Sequence, residues 1–113
     1  MIILGIDPGT TRIGFGLVKR QASLELLDCG LLVITSQAPH LRLAELHKGL
    51  YDLIARWQPN ALAVEKLFFS KNVKTALQVS EARGVILLTT ALAGLPVYEY
   101  TPLEVKKIVT GDG

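Results

Sequence analysis

The apolar and polar positions along the chain alternate between two periods, and the switches mark out its elements. Ile2, Ile3, Leu4 and Ile6 crowd into one short run, which stops at Asp7-Pro8-Gly9. Such a run fits a strand buried on both faces, as in a parallel or mixed sheet. Ile13, Phe15 and Leu17 then alternate with Gly14 and Gly16, a period of two that predicts a second strand. Glycines on one of its faces let another backbone approach closely. The link is too short for anything but an antiparallel hairpin. A polar turn at residues 20–23 leads to a third strand within residues 24–35, so the chain opens as a three-stranded meander.

The period then becomes helical. Leu43, Leu46, Leu50, Leu53 and Trp57 recur at helix spacing, with Arg42, Glu45, Lys48 and Asp52 between them. Pro39 suits the helix start, and Gln58-Pro59-Asn60 ends it because the residue before a proline avoids helical geometry. A fourth strand, Ala61-Leu62-Ala63-Val64-Glu65, follows. Asn72 is placed to cap a long second helix that runs to about Ala93 and stops at Gly94. Its small or apolar face of Val73, Leu77, Ser80, Gly84, Leu87 and Ala91 is read as buried, and its last turns are apolar nearly all round. A helix of that kind is covered by more than its own sheet, and a partner subunit is favoured over a central core position. Val97 to Tyr100 form a fifth strand, and Thr101-Pro102-Leu103-Glu104 is a capping box opening a third helix to about Thr110.

Composition narrows the class. At 113 residues and half apolar, the chain makes one folded α/β domain, residues 1–113, and is not disordered. The longest apolar run, residues 85–93, is far shorter than the ~20 residues of a membrane span. No secretory pattern opens the chain, and the single cysteine, Cys29, permits no internal disulfide, so a cytoplasmic protein is expected. Cys29 itself reads as a small buried hydrophobe on a strand. His40 and His47 lie two helical turns apart, too far to share one ion, and read as surface residues. The net charge of +2 is small, but Lys66, Lys71 and Lys74 stand close together with no acid among residues 66–74.

The candidate chemistry sits at two strand ends. Asp7 and Glu65 each close an apolar strand, at the end where open α/β sheets carry ligands. Asp7 alone could equally brace its Pro-Gly turn. If the two strands are parallel neighbours, however, their ends lie about 5 Å apart. Two carboxylates that close need a cation, and hard oxygen donors on rigid strands suit magnesium or manganese. Beyond Glu65, Phe68 and Phe69 lie among the three lysines. Aromatic rings that stack on unpaired bases, beside lysines that meet phosphates, are the parts of a nucleic-acid binder. The plainer alternative puts one ring in the core and leaves the lysines solvated.

Gly5-Ile6-Asp7-Pro8-Gly9, Val64-Glu65, the loop through Phe68, Lys71 and Asn72, Glu81-Ala82-Arg83-Gly84 and Pro96-Val97-Tyr98-Glu99-Tyr100 together closely resemble the RuvC family of Holliday junction resolvases. The resemblance covers essentially the whole chain in order. It implies an RNase H-like fold, a mixed five-stranded sheet flanked by helices. It further implies a homodimer that nicks two strands of a four-way DNA junction and works with a branch-migration motor complex. On that reading Asp7 and Glu65 are catalytic metal ligands for two magnesium or manganese ions. Phe68 inserts at the junction, Lys106 contacts DNA near the scissile phosphate, and Lys71 and Arg12 are further DNA contacts. The second helix would lie at the dimer interface. The family completes its site with two aspartates on a C-terminal helix, which this sequence lacks, so an incomplete chain with half its catalytic carboxylates and no resolvase activity is expected. Glu99 lies near a strand end and could approach the metal, although the family does not use it so. Three other readings compete. The Gly5–Thr11 stretch also looks like the first phosphate loop of the actin, Hsp70 and sugar-kinase fold. The chain could be a non-catalytic junction-binding module, or a sister branch of the same fold acting on RNA.

Overall fold

The computed structural model describes residues 1–9, 11–66 and 73–100. Its elements are β1 (Ile2–Asp7), β2 (Arg12–Arg20), β3 (Leu24–Val33), α1 (Pro39–Trp57), β4 (Ala61–Glu65), α2 (Val73–Leu92) and β5 (Val97–Tyr100). Each agrees with the periodicity to within a few residues. The capping box and third helix, the Asn72 cap, Phe68, Lys71 and Lys106 lie outside the described residues.

The five strands form one mixed sheet in the order β3-β2-β1-β4-β5. The meander pairs antiparallel, while β4 lies parallel to both β1 and β5. One face carries the core. Leu4 and Ile6 of β1, Ile13 and Leu17 of β2, and Leu62 and Val64 of β4 are buried there against Leu46 and Leu50 of α1 and Ala82 and Ile86 of α2. Both helices therefore pack on the same side. Among the described residues, neither helix is long and apolar enough to cross a membrane.

The β1–β4 register is clamped at its base. The Ile2 N–H donates to Asn60 Oδ1 at 2.7 Å, and the Asn60 N–H returns a bond to the Ile2 carbonyl, also at 2.7 Å. Asn60 thus ends the loop after α1 and starts the parallel ladder. That loop begins with Gln58 in the left-handed conformation (φ 46°), whose N–H closes on the Ile54 carbonyl. At the far end of α2, Gly94 takes φ 75°, the positive angle that a helix stop favours in glycine.

One expectation about faces is corrected. Cys29 is exposed, not buried. A bulge between Leu17 and Val18 shifts the β2–β3 register, so the outward parity of β3 changes along its length. Leu24 and Leu26 before the bulge, and Cys29, Leu31 and Val33 after it, all turn to the face away from the helices. In α2, Leu77, Gly84 and Ala91 of the small or apolar face are exposed in the single chain, as are Leu88 and Leu92. Ala82, Ile86, Thr89 and Thr90 are buried inward, and Val85 and Leu87 pack against the same core. The two threonines satisfy their hydroxyls on the carbonyls one turn back, Val85 and Ile86. Because Thr89 has donated its only hydroxyl proton, His47 Nδ1 must be the donor in its 2.8 Å contact with Thr89 Oγ1. His47 is exposed, as expected, yet it ties α1 to α2.

Glu45 secures the passage from β3 to α1. Its carboxylate accepts the Thr35 N–H at 2.9 Å, the Thr35 hydroxyl at 2.8 Å and the Ser36 N–H at 3.0 Å. These donors, the Thr35 backbone foremost, lower its pKa to about 2. A depressed carboxylate pKa stabilises the fold above the unfolded value and loses that contribution as pH falls toward the folded one. Acid titrations should therefore show a loss of thermal stability between about pH 4.5 and pH 2, and Glu45→Gln should flatten that loss. An unchanged acid profile in the variant would assign the loss elsewhere. Asn60→Ala should cost about 1 kcal/mol in denaturant unfolding through the missing acceptor, and Asn60→Asp should cost less because it keeps one.

Candidate metal and nucleic-acid site

The parallel pairing brings the two candidate carboxylates together. Ile6 faces Val64 in the ladder, and Asp7 and Glu65 follow one residue later on their respective strands. Neighbouring strands lie about 4.8 Å apart, so the two side chains leave the sheet side by side. Ile6 and Val64 point into the core, which puts Asp7 and Glu65 on the opposite face. Asp7 is exposed and Glu65 partly so.

The surroundings continue the row in both directions. Gly14 of β2 pairs with Asp7, and Tyr100 of β5 pairs with Glu65. Gly14, Asp7, Glu65 and Tyr100 thus stand at one level across four strands. On the β2 side the floor is bare, formed by Gly5, Gly14 and Gly16, with Cys29 and Leu31 beyond. A Cβ on Gly14 would sit 3.8 Å from the Asp7 Cβ, and one on Gly16 would meet nothing within 4 Å. The turn after Asp7 is tight: a Cβ on Gly9 would collide with the Arg12 carbonyl oxygen. Burial, then the charge of Glu65, then that of Asp7 raise the pKa of the Tyr100 phenol, which stays protonated at neutral pH.

Arg12 opens β2 and is exposed; its parity along the strand is that of Gly14, the side of the carboxylates. Glu99 does not join them. It pairs with Val64, on the helix-covered face, and its carboxylate meets Arg83 of α2 at 3.1 Å. The strand-end position that made Glu99 a conceivable ligand is offset by its wrong parity. Tyr100 carried no signal in the sequence, because only the β4–β5 register sets it beside Glu65.

Two carboxylates on an accessible, rigid floor are the donors that hard divalent cations take. Among the described residues no third acid, histidine or cysteine joins them to make a cluster of three. Two oxygen donors leave most of a magnesium or manganese coordination shell to water and substrate, which suits an ion that must hold phosphate.

Comparison with known proteins identifies the family. The family model described as crossover junction endodeoxyribonuclease RuvC matches residues 3–113. A crossover junction endodeoxyribonuclease RuvC from Moorella thermoacetica is 53% identical over 116 residues, covering the whole chain and 69% of the relative. Its counterpart from Roseiflexus is 51% identical, covering 97% of the chain and 67% of the relative. Among solved structures, Thermus thermophilus RuvC in complex with a Holliday junction substrate superposes with a TM-score of 0.87 at 33% identity, over 95% of this chain and 70% of that one. The yeast mitochondrial Holliday junction resolvase Ydc2 superposes with a TM-score of 0.65 at 13% identity, a likeness of fold alone. With its RNase H-like mixed sheet, its paired strand-end carboxylates and a family match over nearly its full length, the chain belongs to the RuvC family of crossover junction endodeoxyribonucleases.

Proposed function

We propose that this chain forms the carboxylate-bearing sheet of a Holliday junction resolvase, a metal-dependent endonuclease that nicks paired strands of a four-way DNA junction in recombination and repair. The observation that carries this reading is the juxtaposition of Asp7 and Glu65 on the exposed face of adjacent parallel strands. Asp7 and Glu65 would hold magnesium or manganese, as two ions when substrate is bound. A divalent ion held there supplies a water of lowered pKa and charge stabilisation for the leaving oxygen. The chain's own residues fix the position of that chemistry. Asp7, short and on a central strand, gives the more rigid ligand, and Glu65 approaches from one side. Arg12, exposed at the same strand ends, would meet a phosphate. Phe68, Lys71 and Lys106 complete the proposed DNA contacts by resemblance to the family, in which Phe68 would insert at the junction. A cytoplasmic setting and a branch-migration motor as partner belong to the same proposal.

The partner-subunit reading of α2 draws support from its outward stripe. Leu77, Leu88 and Leu92 are 59%, 57% and 74% exposed, spaced along one side of the helix at four- to eleven-residue steps. Apolar side chains so aligned favour a second copy of the chain over water. The actin-like phosphate loop has less support, since Asp7 stands in register beside a second carboxylate and not beside phosphate-binding groups.

Two outcomes test the proposal. Asp7→Asn should keep four-way junction binding in gel shifts while weakening Mn2+ binding more than about ten-fold, since even a residue that merely orients a ligand is worth about 10–100-fold. Wild-type Mn2+ affinity in that variant would remove the metal assignment. Leu88→Glu should shift the chain from dimer to monomer in sedimentation without loss of helix content. An unchanged mass would place the interface elsewhere.

A further inference from the structure

We propose that Arg83 is a positioning residue for the metal site: through its ion pair with Glu99 it fixes β5, and β5 fixes the main chain of Glu65. The inference rests on the metal-site reading above and adds a residue of α2 to it. The two carboxylate-bearing residues are held from opposite sides. The β1–β4 pairing closes at Ile6 and Val64. Asp7 pairs across to Gly14 of β2, and Glu65 pairs across to Tyr100 of β5. Asp7 is therefore set by a strand inside the sheet, and Glu65 by its edge, since β5 is last in the order.

The two supports differ in strength. β2 has nine residues and is itself backed by β3, whereas β5 has four and is the outermost strand. A short edge strand opens more readily than the sheet interior. Its pairing with β4 is bracketed by two backbone bonds. The Leu62 N–H donates to the Pro96 carbonyl at 3.0 Å, and the Lys66 N–H to the Tyr100 carbonyl at 2.7 Å. The second bond directly follows Glu65, so loosening of β5 is felt at that residue.

Arg83 supplies the constraint that the sheet edge lacks. Its Nη2 meets Glu99 Oε2 at 3.1 Å, one residue before Tyr100 and on the helix-covered face. The Arg83 side chain is 15% exposed, and its Nε has no hydrogen-bond partner among the described residues, so the guanidinium leans on Glu99. A pair largely withdrawn from water is costly to break from one side, whereas an exposed pair is worth little. The molecule contains the contrasting case. Lys48 and Asp52 of α1 form an exposed pair at 2.8 Å that takes no part in this chain of contacts.

Mn2+ binding to the chain, followed through the electron paramagnetic resonance of the free ion, and amide hydrogen exchange test the inference without calling on cleavage. Arg83→Met should weaken Mn2+ about five-fold, less than the ~10–100-fold typical of a group that orients a ligand directly, because it acts at one remove. Glu99→Gln should weaken it to a similar extent, and the double variant no further than either alone, since both act through one contact. Lys48→Met should leave affinity unchanged. In a Glu65→Gln background, Arg83→Met should have no further effect, since its action passes through Glu65. The Lys66 amide should lose exchange protection in Arg83→Met, while the Asn60 amide, bonded to the Ile2 carbonyl, keeps it. If Arg83→Met fails to fold, Glu99→Gln, at a side chain 44% exposed, carries the same expectations. Wild-type affinity in Glu99→Gln or in folded Arg83→Met, an equal loss in Lys48→Met, an undiminished effect without Glu65, or equal loss of protection at Lys66 and Asn60 would overturn the inference. If Asp7→Asn loses Mn2+ while the Arg83 and Glu99 variants do not, only the inference fails; if Asp7→Asn binds normally, the metal site fails and takes the inference with it.

Discussion

The register between β1 and β4 is the constraint from which the remaining geometry follows. It is set at one end by the reciprocal Asn60–Ile2 bonds and along its length by four apolar side chains that are wholly or almost wholly buried: Leu4, Ile6, Leu62 and Val64. Side chains alternate with a period of two, so a slip of one residue in β4 would turn Leu62 and Val64 outward and carry Glu65 into the core. Burying an unpaired carboxylate costs several kcal/mol, and exposing two large aliphatic groups adds about 1.5–3 kcal/mol each. The hydrophobic core thus acts as the jig for the site. Packing on one face dictates which atoms stand at the same height on the other.

The two faces have been given different work by small sequence choices. Toward the helices the strands present branched aliphatics, and Phe15 lies over Gly30, where an added Cβ would come within 3.0 Å of the ring. Away from the helices, Gly5, Gly14 and Gly16 leave the centre of the sheet bare beside Asp7. A bare, flat floor admits a bulky, polar ligand such as a sugar-phosphate strand, which side chains at those positions would hold off. Glu99 shows the same logic from the other direction. Equivalent in chemistry to Glu65 and near it in space, it points through the sheet to Arg83 and ties strand to helix.

Much of this was legible in the residues. Apolar runs, periods of two and 3.6, and the turn residues between them located every described element. The two strand-end carboxylates were visible because each interrupts an apolar run, and a parallel pairing was enough to bring them together. The faces were harder to read. Cys29 is outward because a bulge at Leu17/Val18 reverses the parity of β3, and a local pattern carries no mark of which residue its partner will skip. For α2, a helix apolar on several sides cannot announce which side meets its own sheet. Ala82 and Ile86 won that place because small and branched groups pack between α1 and the strands. The contacts that Asn60, Glu45 and Tyr100 make left no trace, since each joins residues distant in sequence.

The exposure of the carboxylates carries a last consequence. Two unit charges about 5 Å apart repel by roughly 0.8 kcal/mol in bulk water, and by about 3 kcal/mol at an effective dielectric of 20. On the open face Asp7 is exposed to solvent, which weakens that repulsion. A polyanion laid across the same face would displace that water, strengthen the repulsion and add negative charge of its own. On the proposed function, cation binding and strand binding at this site would reinforce one another, each lowering the cost that the other imposes. Coupling of that kind would need no moving part, only two acids held at one height on the face where the proposed substrate would lie.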